Sequence, residues 1–204
     1  MARKLAAGDL VIASHNEGKV KEINDLMSPF GVTARSAKSL GLASPEETED
    51  TFEGNARIKA LFAARAIGSP ALADDSGLEV DALGGAPGVR TADWAERAPG
   101  TPRDFAFGMA RLRREFAATG SVDDAARFVC CLCLAWPDDH TEAFLGDVRG
   151  RIVFPPRGDR GFGFDPVFAP AGETETFGEM DPDRKHAMSH RAAAFRQLME
   201  ACLA

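Results

Sequence analysis

The sequence predicts an α/β protein built on an open sheet. Short apolar runs such as residues 10–13 and 71–73 are typical of buried strands, and each is bordered by a polar or glycine-containing loop. Helical patterns, with apolar residues at spacings of three and four, lie between them. Two consecutive β-prone runs, 127–135 and 142–153, follow and should pair antiparallel across the turn between them.

The first half of the chain reads as strand, loop and helix. Strand 10–13 leads into a turn at 14–18, and a helix begins near Lys19. This helix carries its apolar residues on one face, namely Val20, Ile23, Leu26 and Met27. Residues 32–34 are a candidate second strand. After an acidic loop at 45–50, a helix over 51–66 is predicted with Thr51 or Asp50 as its N-cap.

The second half combines a helix, the two paired strands and a terminal helix. Residues 78–83 alternate like a half-exposed strand, and 84–91 form a Gly/Pro-rich loop. Pro102 suits the first turn of a helix that extends to about residue 118. Its predicted buried face consists of Phe105, Met109, Leu112 and Phe116. A last helix over 189–203, with Ser189 as N-cap, has Phe195, Leu198, Met199 and Cys202 on one face.

The length, composition and net charge of the chain limit the classes of protein to which it can belong. A chain of 204 residues with 45% hydrophobic content can form one large domain or two small lobes around a sizeable core. The four cysteines, Cys130, Cys131, Cys133 and Cys202, lack zinc-site spacing and are expected to be buried in a reducing compartment. The chain shows no signal-peptide pattern and no apolar run of membrane-spanning length, so we expect a cytoplasmic protein. A net charge of −7 argues against broad nucleic-acid contact.

Two adjacent acids, Asp74 and Asp75, follow the apolar run 71–73 and precede Ser76-Gly77. This pattern predicts oxygen ligands at the exposed end of a buried strand, where open α/β sheets place their sites. Mg²⁺ is commonly held by one or two carboxylates together with substrate phosphates. The alternative is that both acids only cap the next turn, which Asp does for local reasons.

The loop "SHNEGK" is a candidate phosphate cradle. It runs from Ser14 to Lys19, between a strand and a helix, and offers small polar side chains, a glycine and a lysine. Backbone N–H groups at a helix N-terminus can hold phosphates. The loop lacks P-loop spacing, and the alternative is an ordinary turn with a solvated lysine.

Three further segments combine charge with glycine or aromatic residues. The acidic loop "PEETED" contains Glu46 and Glu47, and a charge run of this kind is commonly a solvated face. In "GFGFDPVF", glycines permit close backbone approach and Phe162 and Phe164 offer flat faces for a base, although both rings can equally belong to the core. The segment "DRKHAMSHR" gathers cations at a helix start, which favours a bound anion over solvated charges.

Together, "ASHNEGKVKEI", "EETEDTFEGNA", "ALADDSGLEVDALGGAPGV", "GFGFDPVF" and "KHAMSHR" closely resemble the inosine/xanthosine triphosphate pyrophosphatase family, which acts on non-standard purine nucleotides. The resemblance covers nearly the whole chain. It implies one domain over residues 1–204, with an elongated mixed β-sheet and helices that form two lobes around a central nucleotide-binding cleft. It also implies a homodimer and Mg²⁺-dependent hydrolysis of ITP, dITP or XTP to the monophosphate and pyrophosphate.

The resemblance also implies roles for individual residues. Asp75 would be the general base and a metal ligand, with Glu46 as second metal ligand; Glu47 and Asp74 are the adjacent alternatives. An Asp near its reference pKa of about 3.9 would be ionised at neutral pH without special tuning. Implied substrate contacts are Ser14, His15, Asn16, Glu17, Gly18 and Lys19 for the triphosphate, Ser76, then Phe162, Gly163, Phe164 and Asp165 for the base pocket, and Lys185, His190 and Arg191 for base or phosphates.

Overall fold

The structure is a computed structural model that describes residues 2–6 and 9–203. Its strands are β1 (Asp9–Ile12), β2 (Thr33–Ser36), β3 (Ala71–Val80), β4 (Ala125–Ala135), β5 (Thr141–Ile152) and β6 (Phe168–Pro170). They form one sheet in the order β2-β1-β3-β4-β5-β6.

The sheet is mixed. Strand β1 pairs parallel with β2 and with β3, while β5 pairs antiparallel with β6. Strands β4 and β5 are neighbours joined by the short connection 136–140, which leaves no room for the crossover that a parallel pair needs. The predicted α/β class with a mixed sheet is confirmed, as is the antiparallel pairing of β4 with β5.

The helices are α1 (Glu17–Met27), α2 (Phe52–Ile67), α3 (Phe105–Thr119), α4 (Pro182–Met188) and α5 (His190–Leu198), followed by a π-helical turn at Met199–Leu203. Side-chain caps fix the starts of α1 to α4, and Asp181 caps α4 by accepting from the backbone N–H of Asp183. Asn16 caps α1, Thr51 caps α2, and Asp104 caps α3 by accepting from the backbone N–H of Phe107. The prediction that α3 begins at Pro102 is wrong, because the Asp104 carboxylate supplies a stronger start signal two residues later.

Strand β3 also differs from its prediction. The sequence indicated a turn at Asp74 to Gly77, yet the strand continues to Val80, and Asp74 and Asp75 are only 2% and 5% exposed. These acids therefore lie in the middle of a buried strand and not at its exposed end. Of the separate strand expected over 78–83, residues 78–80 are the end of β3, with Leu78 and Val80 fully buried, and Asp81–Leu83 form a 3₁₀ turn.

The chain divides into two compact units. Unit 1 comprises residues 1–75, 130–146 and 191–204, and unit 2 comprises residues 76–129 and 147–190. The core of unit 1 includes Leu10, Ile23, Leu72, Leu132, Phe195 and Leu198. The core of unit 2 includes Leu78, Leu112, Phe128, Ile152, Phe168 and Phe177.

The structure confirms one prediction from composition. All four cysteines are buried and unbridged, as expected. Among the helices within residues 2–6 and 9–203, none has the length and apolar content that a membrane span requires.

Candidate active site

The loop that follows β1 sends its side chains in two directions within unit 1. Asn16 accepts from the backbone N–H of Lys19, and its own N–H donates to Ser14 Oγ, which shapes the start of α1. His15 Nε2 lies 2.8 Å from the carbonyl oxygen of Leu42, and Glu17 pairs with Lys38. The side chains of His15 and Glu17 therefore bind the segment after β2, whereas Lys19 extends to Asp74.

Asp74 and Asp75 do not act as one double ligand. Consecutive strand residues face opposite sides of a sheet, and the contacts of the two acids follow this rule. Asp74 binds residues of α1 and α5, while Asp75 binds Lys59 of α2. The expectation of two carboxylates side by side at one site is therefore corrected.

Asp74 lies in a buried ion cluster. Its Oδ1 is 2.6 Å from Lys19 Nζ, and its Oδ2 accepts from Arg191 Nε at 2.8 Å. Arg191 also pairs with Glu22 through its Nη1. Burial alone would raise the pKa of Asp74, but the charges of Arg191 and Lys19 outweigh it and hold this pKa well below the usual range. The Asp74 carboxylate is thus stabilised as an anion by Lys19 and Arg191.

The buried position of Arg191 alters one expectation from the sequence. Cations at a helix start favoured a bound anion, but here Asp74 and Glu22 supply the negative charge. Burial would lower the pKa of Arg191, yet these two carboxylates raise it above its normal value. The guanidinium is therefore bound by carboxylates of its own chain.

Asp75 has two oxygens in unlike surroundings. Oδ1 accepts from Lys59 Nζ at 2.7 Å, whereas Oδ2 is buried and has no hydrogen-bond partner among the described residues. Burial raises the pKa of Asp75 to about 6, against the opposing charges of Lys59 and Lys19. The expectation of an untuned carboxylate near 3.9 is therefore wrong, because the residue sits inside the strand.

Lys59 links Asp75 to the acidic loop. Its Nζ lies 3.3 Å from Glu47 Oε2, while Glu46 is exposed. Burial would lower the pKa of Lys59, but the charges of Asp75 and Glu47 raise it. Of the two adjacent glutamates, Glu47 is thus the one that shares a partner with Asp75.

The carboxylates of unit 1 suit a metal ion that takes most of its ligands from substrate and water. Within the described residues, no group of three or more His, Cys, Asp or Glu is arranged to hold a metal by itself. The unpartnered Oδ2 of Asp75 is an available anionic oxygen, and Mg²⁺ typically uses one or two carboxylates plus phosphate oxygens. Asp75 therefore offers one carboxylate oxygen of the kind that binds a divalent cation.

In unit 2, the "GFGFDPVF" loop is ordered around Asp165. Its Oδ2 accepts from the Phe162 backbone N–H at 2.7 Å and from Lys185 Nζ at 2.7 Å. The Lys185 ammonium also lies 5.0 Å from the centroid of the Phe162 ring. Gly161 has a φ of +73°, and a Cβ at this position would collide with Asp165 Oδ2. The glycine is required because the carboxylate occupies the space of a side chain.

The other predicted residues of unit 2 are divided between core and loop. Phe164 is 2% exposed and packs edge-on against Phe105 in the core. His190 is buried and stacks on Phe128, with ring centroids 5.0 Å apart. Ser76 is half-buried on β3. The alternative that a phenylalanine of this motif belongs to the core therefore holds for Phe164.

Sequence reasoning missed Lys59 and Cys130, which contact the carboxylates of Asp75 and Asp74, and Glu22, which pairs with Arg191. Lys59 lies on the buried face of α2 among alanines such as Ala56, Ala60 and Ala63. Glu22 adjoins Ile23 on the buried face of α1. A charged residue within an apolar helical face was the available signal, because such a residue needs a buried partner. Cys130, within an apolar strand, gave no comparable signal.

Comparisons with known proteins agree with the fold and with the motifs. The model of the Ham1 family matches residues 10–201. A dITP/XTP pyrophosphatase from Agrobacterium fabrum is 55% identical over 98% of this chain and 99% of its own length, and one from Rhodospirillum centenum is 57% identical over 99% and 98%. The solved structure of a HAM1 protein from Coxiella burnetii is similar with a TM-score of 0.85 at 36% identity, covering 94% of this chain and 96% of that one.

Proposed function

Since this chain belongs to the Ham1 family, we infer that it is a nucleoside triphosphate pyrophosphatase, a hydrolase of non-standard purine nucleoside triphosphates. Its substrates would be dITP, XTP and ITP, with the monophosphate and pyrophosphate as products. One structural observation carries the proposal for the chemistry. Asp75 presents a buried, unpartnered oxygen beside Lys59, and its pKa is raised to about 6. A carboxylate with this pKa is largely ionised at neutral pH. Because its pKa lies close to neutral pH, it can also accept a proton from water.

In the proposed mechanism, the Asp75 carboxylate orients water for attack at the α-phosphorus and accepts its proton. Lys19 and Lys59 bind the negative charge that develops on the phosphate oxygens and on the leaving pyrophosphate. Mg²⁺, bound by Asp75 with Glu47 or Glu46, would supply Lewis-acid neutralisation of that charge. The backbone of residues 14–18, at the start of α1, would contact the triphosphate.

For unit 2 we propose contacts to the base. Lys185 is held by Asp165 and lies against the Phe162 ring, so an ammonium and a flat aromatic face are presented together. Such a pair suits stacking and hydrogen bonding to an exocyclic oxygen. Phe164 would support the loop from the core side. The other proposed contacts are Ser76, Gly163 and His190, and Arg191 of unit 1.

Further proposals concern the compartment, the oligomeric state, the metal ion and nucleic-acid binding. They rest on the family and on the net charge of the chain. We propose that the protein is a cytoplasmic homodimer that uses Mg²⁺ and does not bind nucleic acid. The net charge of −7 supports the last point, because nucleic-acid binding depends on neutralising many phosphates.

The decisive experiment is pyrophosphate release from dITP, XTP, ITP, ATP and GTP with Mg²⁺. We expect fast release from the three deaminated purines and poor release from ATP and GTP. The variant Asp75→Asn should lower turnover by at least about a hundredfold. Asp93→Asn, which alters an exposed acid of unit 2, serves as the matched control and should match wild type.

Two results would contradict the proposal. If pyrophosphate were released rapidly only from modified pyrimidine or methylated nucleotides, the protein would still be a hydrolase, but its substrate class would differ from the one proposed. Tight binding of ITP without pyrophosphate release, equal in wild type and Asp75→Asn, would indicate a nucleotide sensor instead.

A further inference from the structure

The Asp74 carboxylate has a further partner that the proposed mechanism does not use. Cys130 Sγ donates to Asp74 Oδ2 at 3.0 Å, beside the contact from Arg191 Nε. Cys130 and the Asp74 side chain are both fully buried. The hydrogen bond therefore forms in a region without water to replace it, where a polar contact is strongest.

The Cys130 side chain is a donor and not a competing anion. Burial and the neighbouring Asp74 charge raise its pKa well above the usual thiol value, so the S–H proton is retained. Cys133, on the same strand, is equally buried, and its sulfur donates to the backbone carbonyl oxygen of Leu134 at 4.0 Å. The contact with a carboxylate is thus specific to the position of Cys130 on β4.

The two oxygens of the Asp74 carboxylate contact different partners. Cys130 and Arg191 approach Oδ2, whereas the Lys19 ammonium lies at Oδ1. A carboxylate can rotate about its Cβ–Cγ bond, and donors from two directions on one oxygen restrict that rotation. The orientation of Oδ1, and with it the position of the Lys19 ammonium, then depends on what holds Oδ2.

We propose that Cys130 is a positioning residue, whose thiol fixes the Asp74 carboxylate so that Oδ1 holds the Lys19 ammonium where it contacts the substrate triphosphate. This inference rests on the proposed function through the role of Lys19. It does not make Cys130 a catalytic residue, because the thiol acts only through Asp74.

The test compares Cys130→Ala, which removes the donor, with Cys130→Ser, which keeps a donor of similar shape. Cys133→Ala is the matched control, since it removes an equally buried thiol without a carboxylate partner. We expect Cys130→Ala to raise KM for dITP by about five- to tenfold, the range for loss of one hydrogen bond to a charged group. Turnover at saturation should change little, and Cys130→Ser should stay within about twofold of wild type.

A double-mutant cycle with Lys19→Ala separates positioning from a general packing defect. If Cys130 acts through Lys19, Cys130→Ala should have no further effect on KM in the Lys19→Ala background. Additive effects would overturn the inference. So would a Cys130→Ser variant as impaired as Cys130→Ala, or a Cys133→Ala variant with the same rise in KM.

A binding measurement keeps this test independent of the proposed reaction. Titration calorimetry with inorganic pyrophosphate should show the same order of affinities, with wild type and Cys130→Ser above Cys130→Ala. If the wild-type protein turned over none of the nucleotides, the proposed function would be refuted, but the affinity for pyrophosphate could still be measured. Equal pyrophosphate affinity of wild type and Cys130→Ala would refute the positioning role alone.

Discussion

At the scale of single residues, burial sets the behaviour of Asp75. Its carboxylate lies inside β3, and its pKa is raised to about 6. Below that pH the group holds a proton in the folded protein, and a metal ion must displace it to bind. We therefore expect the apparent affinity for Mg²⁺ to be constant above pH 6 and to fall by about tenfold per pH unit below it. Calorimetric Mg²⁺ titrations at several pH values check this; an affinity that persists to about pH 4 would place the pKa at its reference value.

A second residue-scale prediction concerns the glycines of the "GFGFDPVF" loop. Gly161 and Gly163 both have positive φ, +73° and +70°, so alanine is strained at either position. Only at Gly161 would a Cβ collide with Asp165, whereas at Gly163 the nearest atom is Phe105 Cε1 at 3.8 Å. Gly163→Ala should cost roughly 1 kcal/mol of unfolding free energy from backbone strain, and Gly161→Ala clearly more, about 2–4 kcal/mol. Urea denaturation of both variants measures the difference, and equal costs would show that the Asp165 contact adds nothing.

At the scale of elements, the sequence predicted the parts of the fold that depend on local signals better than those that depend on tertiary contacts. Strand β4 and helix α2 were predicted within two residues, because their apolar periodicity and, for α2, the Thr51 cap are local. Strand β3 was predicted to end at Asp74, since Asp, Ser and Gly favour turns when considered alone. It continues because Lys19, Arg191 and Lys59 come from three distant helices to compensate the buried acids. A local pattern can show that Lys59 needs a buried partner, but it does not show which acid that partner is. The loops and acids were therefore identified but not their pairing.

Helix α2 provides an element-scale prediction. Thr51 accepts from the backbone N–H of Gly54 at 3.0 Å and caps the helix that carries Lys59 to Asp75. Thr51→Ala should reduce the unfolding free energy by about 1 kcal/mol, because one N–H at the helix start loses its acceptor. Thr51→Ser retains the acceptor and should stay close to wild type. Thermal unfolding of both variants, with the exposed loop variant Thr48→Ala as control, tests this; equal losses for Ser and Ala would assign the effect to the lost methyl group.

At the scale of the whole molecule, both cores draw on the same strands. Strand β3 supplies Leu72 to the core of unit 1 and Leu78 to that of unit 2. Strand β4 likewise supplies Leu132 and Phe128. Unfolding of one unit would therefore release the ends of strands on which the other core depends. The sequence prediction of one continuous domain stays a prediction, and this shared use of strands makes it testable.

The two tryptophans allow that test, because Trp94 lies in unit 2 and Trp136 in unit 1. Each is covered by an arginine, Arg111 at 4.4 Å and Arg3 at 4.9 Å from the ring centroid. Trp136→Phe and Trp94→Phe each leave one fluorescent reporter. If the chain unfolds cooperatively, both urea transitions should coincide with that of the circular dichroism signal. Leu72→Ala, a core change in unit 1 alone, should cost about 2–5 kcal/mol and shift both reporters equally. A shift confined to Trp136 would mean that the units unfold separately and that the chain contains two domains.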